Sequence, residues 1–188
     1  GGVGINYLPK DHAPQIESFL DIIYKTLEYK AKDHKIEIPK LVLEHGRSIV
    51  GNAGITLYKI GVVKDLPNIR KYVAVDGGMA DNPRPITYQA PYDAMIANKK
   101  SERKKEIVTI AGKYCESGDI LAKDLLLQTV ESGDVIAFLG TGAYNYSMAS
   151  NYNQALKPAM VLVKNGKAVE IVKRQTFEEL LAGHIPLK

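Results

Sequence analysis

A single cysteine, Cys115, stands in a chain of 188 residues. One thiol excludes an internal disulfide and fits a reducing compartment, so the cytoplasm is the expected location. The four histidines (His12, His34, His45 and His184) have no metal-like spacing, and one cysteine cannot build a thiolate cluster. No metal is expected. No apolar run approaches the roughly 18 residues that a membrane-spanning helix needs. A basic start followed by an apolar core is also missing, so no signal peptide is expected. Neither a Walker-type phosphate loop nor an ordered serine, histidine and aspartate set stands out. Repeats, low-complexity tracts and flexible linkers are absent as well.

What is present is an ordinary globular composition, 45% apolar and 24% charged, sufficient for a core without covalent staples. The net charge is +4. Its one dense basic run, Lys99-Lys100-Ser101-Glu102-Arg103-Lys104-Lys105, contains an acid and lies between two β-like runs. It reads as a solvated hairpin tip, not as a nucleic-acid surface. The chain opens Gly1-Gly2-Val3-Gly4-Ile5 with no leading strand. A glycine turn normally follows a strand, so the chain is expected to be part of a longer protein.

Spacings of three and four between Ile16, Phe19, Leu20, Ile23 and Leu27 predict a helix over roughly Ala13 to Lys32, with Pro14 in its first turn. Leu41-Val42-Leu43 reads as a strand buried on both faces, and Ser48 to Ala53 as a second helical stretch. Loop, helix, strand, loop, helix is α/β layering and fits the tail of a parallel barrel or a doubly wound sheet. After Gly54 the pattern becomes β. Strands are expected at Ile55–Lys64, Lys71–Val75, Ile86–Ala97, Glu106–Ile110, Val135–Leu139 and Met160–Lys173. The last contains a hairpin turn at Asn165-Gly166. Thr176-Phe177-Glu178-Glu179 is a capping box opening a final helix, with Leu180 and Leu181 expected inward. The β part is expected to form a closed or nearly closed barrel.

Polar and glycine clusters fall at the strand ends. Gly1-Gly2-Val3-Gly4 can bring backbone N–H groups to a phosphate. Glu44-His45-Gly46-Arg47 ends the Leu41–Leu43 run; a buried Glu44 can hold a proton on a heterocyclic nitrogen, and Arg47 can grip a phosphate or carboxylate. A local Glu44–Arg47 pair closing the strand explains the same residues equally well. Arg84 lies between two prolines before Tyr88, which suits a rigid carboxylate clamp, although a solvated arginine in a surface turn is the simpler reading. Gly140-Thr141-Gly142-Ala143-Tyr144 follows a strand and can place the Tyr144 hydroxyl on a phosphate, or pack an aromatic ring over a turn. The centre of interest is Gly112-Lys113-Tyr114-Cys115-Glu116-Ser117-Gly118-Asp119, where a thiol with a carboxylate beside it sits in a glycine-rich loop. A lone cysteine is more often inert packing.

Taken together, in order and at similar spacings, these motifs resemble the C-terminal half of the diaminopimelate decarboxylases. These are pyridoxal-phosphate enzymes of the alanine-racemase-like fold, a group that also includes ornithine and arginine decarboxylases. The resemblance implies that residues 1–54 are the C-terminal remnant of a cofactor-binding (β/α)8 barrel. Residues 55–188 would then be a mostly antiparallel β-barrel domain with a closing helix near 176–183. It implies decarboxylation of meso-diaminopimelate to L-lysine on pyridoxal 5'-phosphate. Gly2, Gly46, Arg47 and Tyr144 would hold the cofactor phosphate, and Glu44 the pyridine nitrogen. Arg47, Arg84, Tyr88 and Tyr144 would bind substrate, Glu116 would take its distal ammonium, and Cys115 would return a proton to the α-carbon. Cys115 and Glu116 would serve the other subunit of a homodimer.

Two departures from the family pattern stand out. His45 replaces the usual proline, and with it a fixed φ, though it can still approach the phosphate. The barrel's first half and the Schiff-base lysine have no counterpart here, so this chain alone is expected to be inactive. A non-catalytic relative of the same fold, or an ornithine- or arginine-type decarboxylase, is the alternative.

Overall fold

The structure, a computed structural model, describes residues 1–186. The chain begins with an irregular segment that enters the first helix, α1, at Ile16–His34. Pro14 precedes the N-cap Gln15 instead of lying in the first turn. A short helix α2 (Gly46–Val50) runs into a 3-10 turn at Gly51–Ala53, close to the helical stretch the sequence predicts. Between α1 and α2, Leu41–Leu43 is not a strand, and Leu41 and Val42 are exposed. A strand exists only through hydrogen bonds to a neighbour, and none of the described residues offers one there. Much of the α1 stripe is likewise only half-buried, and Ala31 is its one buried residue.

The β part is a six-stranded sheet. Its members are β1 (Ile55–Leu66), β2 (Arg70–Val75), β3 (Ala94–Ile96), β4 (Glu106–Ala111), β5 (Ile120–Leu127) and β6 (Val135–Leu139). They lie in the order β3-β6-β1-β2-β4-β5. All pairs are antiparallel except β2 with β4. β1 pairs with β6 over Ile55–Lys59 and with β2 from Ile60 onward, with a register shift between Ile60 and Val63. That irregularity bends the strand and wraps the sheet around one core. Ile60, Val73, Ile110, Leu127, Ile136 and Phe138 fill it.

The two edge strands, β3 and β5, do not pair with each other. Buried Gln128, just after β5, accepts a hydrogen bond from the Ile96 N–H of β3 at 3.0 Å, so a side chain bridges the seam. The barrel is thus nearly closed. Beside it, Asp134 holds the turn into β6. Its carboxylate accepts from Asn98 (2.7 Å), Lys99 (2.8 Å) and the Glu131 N–H (2.9 Å).

Several expectations need correction. The segment Ile86–Ala97 is mostly not strand: α3 covers Arg84–Tyr88, and only Ala94–Ile96 pairs. Two prolines at its start, Pro83 at the N-cap and Pro85 inside the first turn, favour the helix, and Gln89 ends it in the left-handed region. Strand β5 was not expected at all. The basic run 99–105 is not a hairpin tip, since β3 and β4 have different partners. Lys99 is tied to Glu131 and Asp134, and Lys104 to Asp93. The β7 (Met160–Lys164) and β8 (Lys167–Val172) hairpin forms as expected, with Asn165 and Gly166 both at positive φ. The capping box at Thr176 and Glu179 opens α4 (Phe177–Leu181), but Leu181 points outward.

Gln128→Leu leaves the Ile96 N–H buried without an acceptor and should destabilise the chain by about 1–3 kcal/mol in urea unfolding; an unchanged midpoint would contradict the seam. Burial alone would raise the Asp134 carboxyl, but Lys99, Asn98 and the Glu131 N–H outweigh it and hold it below the ordinary range. A depressed carboxylate contributes stability that is present above its unfolded pKa and lost as pH falls through the folded one. The destabilisation caused by Asp134→Asn should therefore be full at pH 7 and shrink below about pH 4, compared by unfolding at both pH values.

Candidate functional site

Gly142 fixes how the first 54 residues meet the barrel. Its N–H donates to the Gly51 carbonyl at 2.9 Å, and the next contact is Thr141 N–H to Gly54 at 3.0 Å. A Cβ on Gly142 would fall 1.8 Å from the Val50 carbonyl oxygen, so only glycine permits this approach. The end of α2 is thereby seated against the loop that carries Tyr144. Tyr144 itself has φ 64°, and its half-exposed ring lies 5.9 Å from the Arg84 guanidinium.

At the other end of α2, Gly46 and Arg47 follow His45, and Gly1 stands beside the Glu44 carbonyl. The opening glycine loop and the Glu44–Arg47 turn are therefore neighbours. His45 Nδ1 and Arg47 Nε are both shielded from water with no hydrogen-bond partner among the described residues. Orphaned nitrogens in a glycine-lined cradle fit an anionic ligand, as the phosphate of pyridoxal phosphate would be. Glu44 is exposed, not buried, and forms no ion pair with Arg47 among the described residues. Neither a local pair nor a buried carboxylate describes it in this structure.

Arg84 is the largest departure from the simplest reading. It is 8% exposed, and its Nη1 donates to the hydroxyls of Tyr92 (2.6 Å) and Tyr7 (2.8 Å). The rings of Tyr7, Tyr92 and Tyr144 lie 5.0, 5.7 and 5.9 Å from the guanidinium carbon. Burial alone would lower the Arg84 pKa, but the two phenol oxygens outweigh it, and the group stays charged. Tyr7 and Tyr92 meet edge to face at 5.3 Å. Behind them the amides of Asn82 and Asn145 face each other at 2.6 Å, oriented so that the Asn145 nitrogen donates to the Ala143 and Thr141 carbonyls at 3.0 and 3.2 Å. The arginine is thus held rigidly at the root of α3, with Tyr88 exposed at the helix's other end.

The thiol loop reaches the same helix. Cys115 is exposed. Gly118 lies against Ile86 of α3. Glu116 is held on its own loop: Oε1 accepts from the Gly118 N–H at 3.2 Å, and Oε2 is 3.4 Å from the Tyr152 hydroxyl. Tyr152 also meets Tyr114 edge to face at 5.8 Å. Buried Asp119 underlies the loop. Its Oδ1 accepts from the Met79 N–H at 2.7 Å and its Oδ2 from the Tyr114 N–H at 3.0 Å. Burial pushes this carboxyl above its ordinary range, against the pull of the two N–H groups. The Tyr114 phenol, also half-buried and near Asp81 and Asp119, is pushed up to about 12.

The structure therefore draws the predicted residues into two groups: Gly2, His45, Gly46 and Arg47 around one turn, and Arg84, Tyr88, Cys115 and Glu116 around α3, with Tyr144 between Arg84 and the end of α2. Sequence reasoning missed Tyr7 and Tyr92, while Tyr152 stands in Asn151-Tyr152-Asn153, one of the motifs that carry the resemblance. No local pattern marks the first two, because their partners lie far away in the chain. A shallow groove of about 480 Å³ involving Asp65, Arg70, Lys71, Glu106 and Asp124 lies elsewhere and includes none of the predicted residues. Among the described residues there is no cluster of metal ligands, and no helix is long and apolar enough to cross a membrane.

Comparison with known proteins identifies the family. A family model described as the pyridoxal-dependent decarboxylase C-terminal sheet domain matches residues 18–142. Diaminopimelate decarboxylase of Synechocystis sp. is 49% identical over 96% of this chain and 39% of its own length. That of Bacillus subtilis is 46% identical over 100% of this chain and 43% of its own. The crystal structure of the M. jannaschii diaminopimelate decarboxylase superposes with a TM-score of 0.90 at 39% identity, over 99% of this chain and 42% of that one. The chain thus spans about two fifths of the length of these relatives. The family model covers most of the chain, and the chain belongs to the pyridoxal-dependent decarboxylase family.

Proposed function

We propose that this chain is the C-terminal portion of a diaminopimelate decarboxylase, releasing carbon dioxide from meso-diaminopimelate to leave L-lysine. The observation that carries the reading is the packing of the thiol loop on α3, Gly118 against Ile86, which leaves Cys115 exposed on a fixed support beside the helix that begins at the buried Arg84. Support comes from relatives with that name at 46–49% identity and from a related M. jannaschii structure determined with L-lysine. On this reading residues 1–54 complete a (β/α)8 barrel supplied by the rest of the relatives' length, which would also carry the Schiff-base lysine. The exposed Leu41 and Val42 fit a strand awaiting its neighbours.

The roles follow from the chemistry of the groups. Backbone N–H groups of Gly2 and Gly46, the Arg47 and His45 nitrogens and the Tyr144 hydroxyl would hold the phosphate. Glu44 would pair with the pyridine nitrogen. Pyridoxal phosphate, when bound, supplies an electron sink for the pair left as carbon dioxide departs. Arg84, with Arg47 and Tyr88, binds a substrate carboxylate, and its tyrosine cage keeps it from swinging away. Glu116 takes the distal ammonium, which selects a substrate with a second amine. The Cys115 thiol gives its proton to the α-carbon, replacing the lost carboxylate. In a homodimer, Cys115 and Glu116 would complete the partner's site. A cytoplasmic location follows the same reading.

In the intact enzyme, Cys115→Ala should lower kcat by roughly a hundredfold or more, the range for loss of a general acid. A near-normal turnover would remove the thiol from the mechanism. The present chain alone, mixed with pyridoxal phosphate and meso-diaminopimelate, should release no carbon dioxide; measurable release would contradict the need for the rest of the barrel.

A further inference from the structure

We infer that Asp119 is a positioning residue that sets where the Cys115 thiol stands relative to the Met79 turn that leads into α3. The inference rests on the reading above for the role of the thiol. The loop from Gly112 to Asp119 is a closed ring of short contacts. Gly112 N–H donates to the Asp119 carbonyl at 2.8 Å, and Asp119 N–H donates to the Glu116 carbonyl at 3.0 Å. Those bonds shape the loop but do not place it. Placement comes from the Asp119 side chain, which is 3% exposed and spends one oxygen inside the loop and the other outside it. Oδ2 takes the Tyr114 N–H, the residue before the thiol, at 3.0 Å, and Oδ1 takes the Met79 N–H at 2.7 Å. Met79 lies five residues before Arg84 in the segment that feeds α3. One parallel bond, Lys113 N–H to the Gly77 carbonyl at 3.0 Å, runs between the same two segments.

The carboxylate also has no freedom to move. A Cβ on Gly112 would stand 2.0 Å from Oδ2, so the glycine backbone is packed directly on it. Both oxygens accept from N–H groups, so a carboxylate is required. An amide would turn an NH2 toward one of the two donors and break one side of the bridge. Beside the Lys113–Gly77 bond, the thiol loop and the arginine segment are thus joined by a side chain that touches neither cofactor nor substrate in the proposed arrangement.

Two readouts separate positioning from general support of the fold. The first is independent of turnover. Cys115 is the only thiol in this chain and is exposed, so its rate of alkylation by iodoacetamide reports its surroundings. Asp119→Asn should change that rate at least about threefold, since thiol reactivity follows its local environment. The melting temperature of the variant is followed in parallel. The second readout is a double-mutant cycle in the intact enzyme. Asp119→Asn should lower kcat by roughly tenfold or more, with KM changed much less. On the Cys115→Ala background it should have no further effect on kcat, because a residue that acts through the thiol has nothing left to position. If Asp119→Asn does not fold, Asp119→Ser, small enough to admit a water in place of the lost carboxylate, takes its place in both measurements.

An unchanged alkylation rate overturns the inference. So do kcat losses that multiply in the double variant. If Cys115→Ala itself leaves turnover intact, the proposed function fails. A changed alkylation rate then still establishes that Asp119 places the thiol loop.

Discussion

One carboxylate, taken out of water and answered by two backbone N–H groups from different loops, decides how the end of this barrel is arranged. Asp119 accepts from Met79 and from Tyr114 at 2.7 and 3.0 Å. Hydrogen bonds to a charged acceptor contribute about 1.5–3 kcal/mol each, roughly twice the neutral kind. Burial works against them, and the carboxyl is pushed above its ordinary range as a result. The same segment holds a second, half-buried acid, Asp81, which accepts from the Gly78 N–H at 3.1 Å and from the Tyr58 hydroxyl at 2.5 Å. Two carboxylates thus take consecutive amides of one turn. That turn then has a single position, and so do the loop on one side of it and α3 on the other.

The second constraint is a seam of bare backbone. Gly142 admits the Gly51 carbonyl and Val50 so closely that no side chain fits between, which seats the first 54 residues on the barrel. Tyr7 completes the join by entering the tyrosine cage around Arg84. The buried guanidinium is therefore shared property: its partners come from the opening segment, from the stretch after α3 and from the loop after β6. Family membership explains why such distant pieces agree. It also fits the exposed apolar surface of α1 and of Leu41 and Val42 on a chain that spans two fifths of its relatives' length.

Legibility in the sequence followed the range of the interaction. The Asn165-Gly166 hairpin and the Thr176 capping box were readable because their physics is complete within a few residues. β1, β2, β4 and β6 were readable from apolar β-branched runs. β5 was not: Ile120–Leu127 contains Leu, Ala and Lys, which favour helix, and Asp124 sits at φ 53°, which breaks the alternation. Its strand character comes from β4. Leu41–Leu43 failed in the opposite direction, having strand composition but no neighbour. At the site, the motif residues were legible by resemblance, and the Cys115 loop by its glycines. The burial of Arg84 was not, because its partners lie 77, 8 and 60 positions away (Tyr7, Tyr92 and Tyr144). Nor was the exposure of Glu44.

The Asp119 carboxylate holds the thiol loop and the Met79 turn at once. Backbone amide hydrogen exchange of the unmodified chain tests it directly, residue by residue. The Met79 and Tyr114 N–H groups have no other acceptor among the described residues, so their protection reports that carboxylate alone. Both amides should exchange at least about a hundredfold more slowly than an unstructured peptide, and to a similar degree, as members of one locally opening unit. Exchange of either amide at the rate of an open loop would mean that the carboxylate does not bridge the two segments.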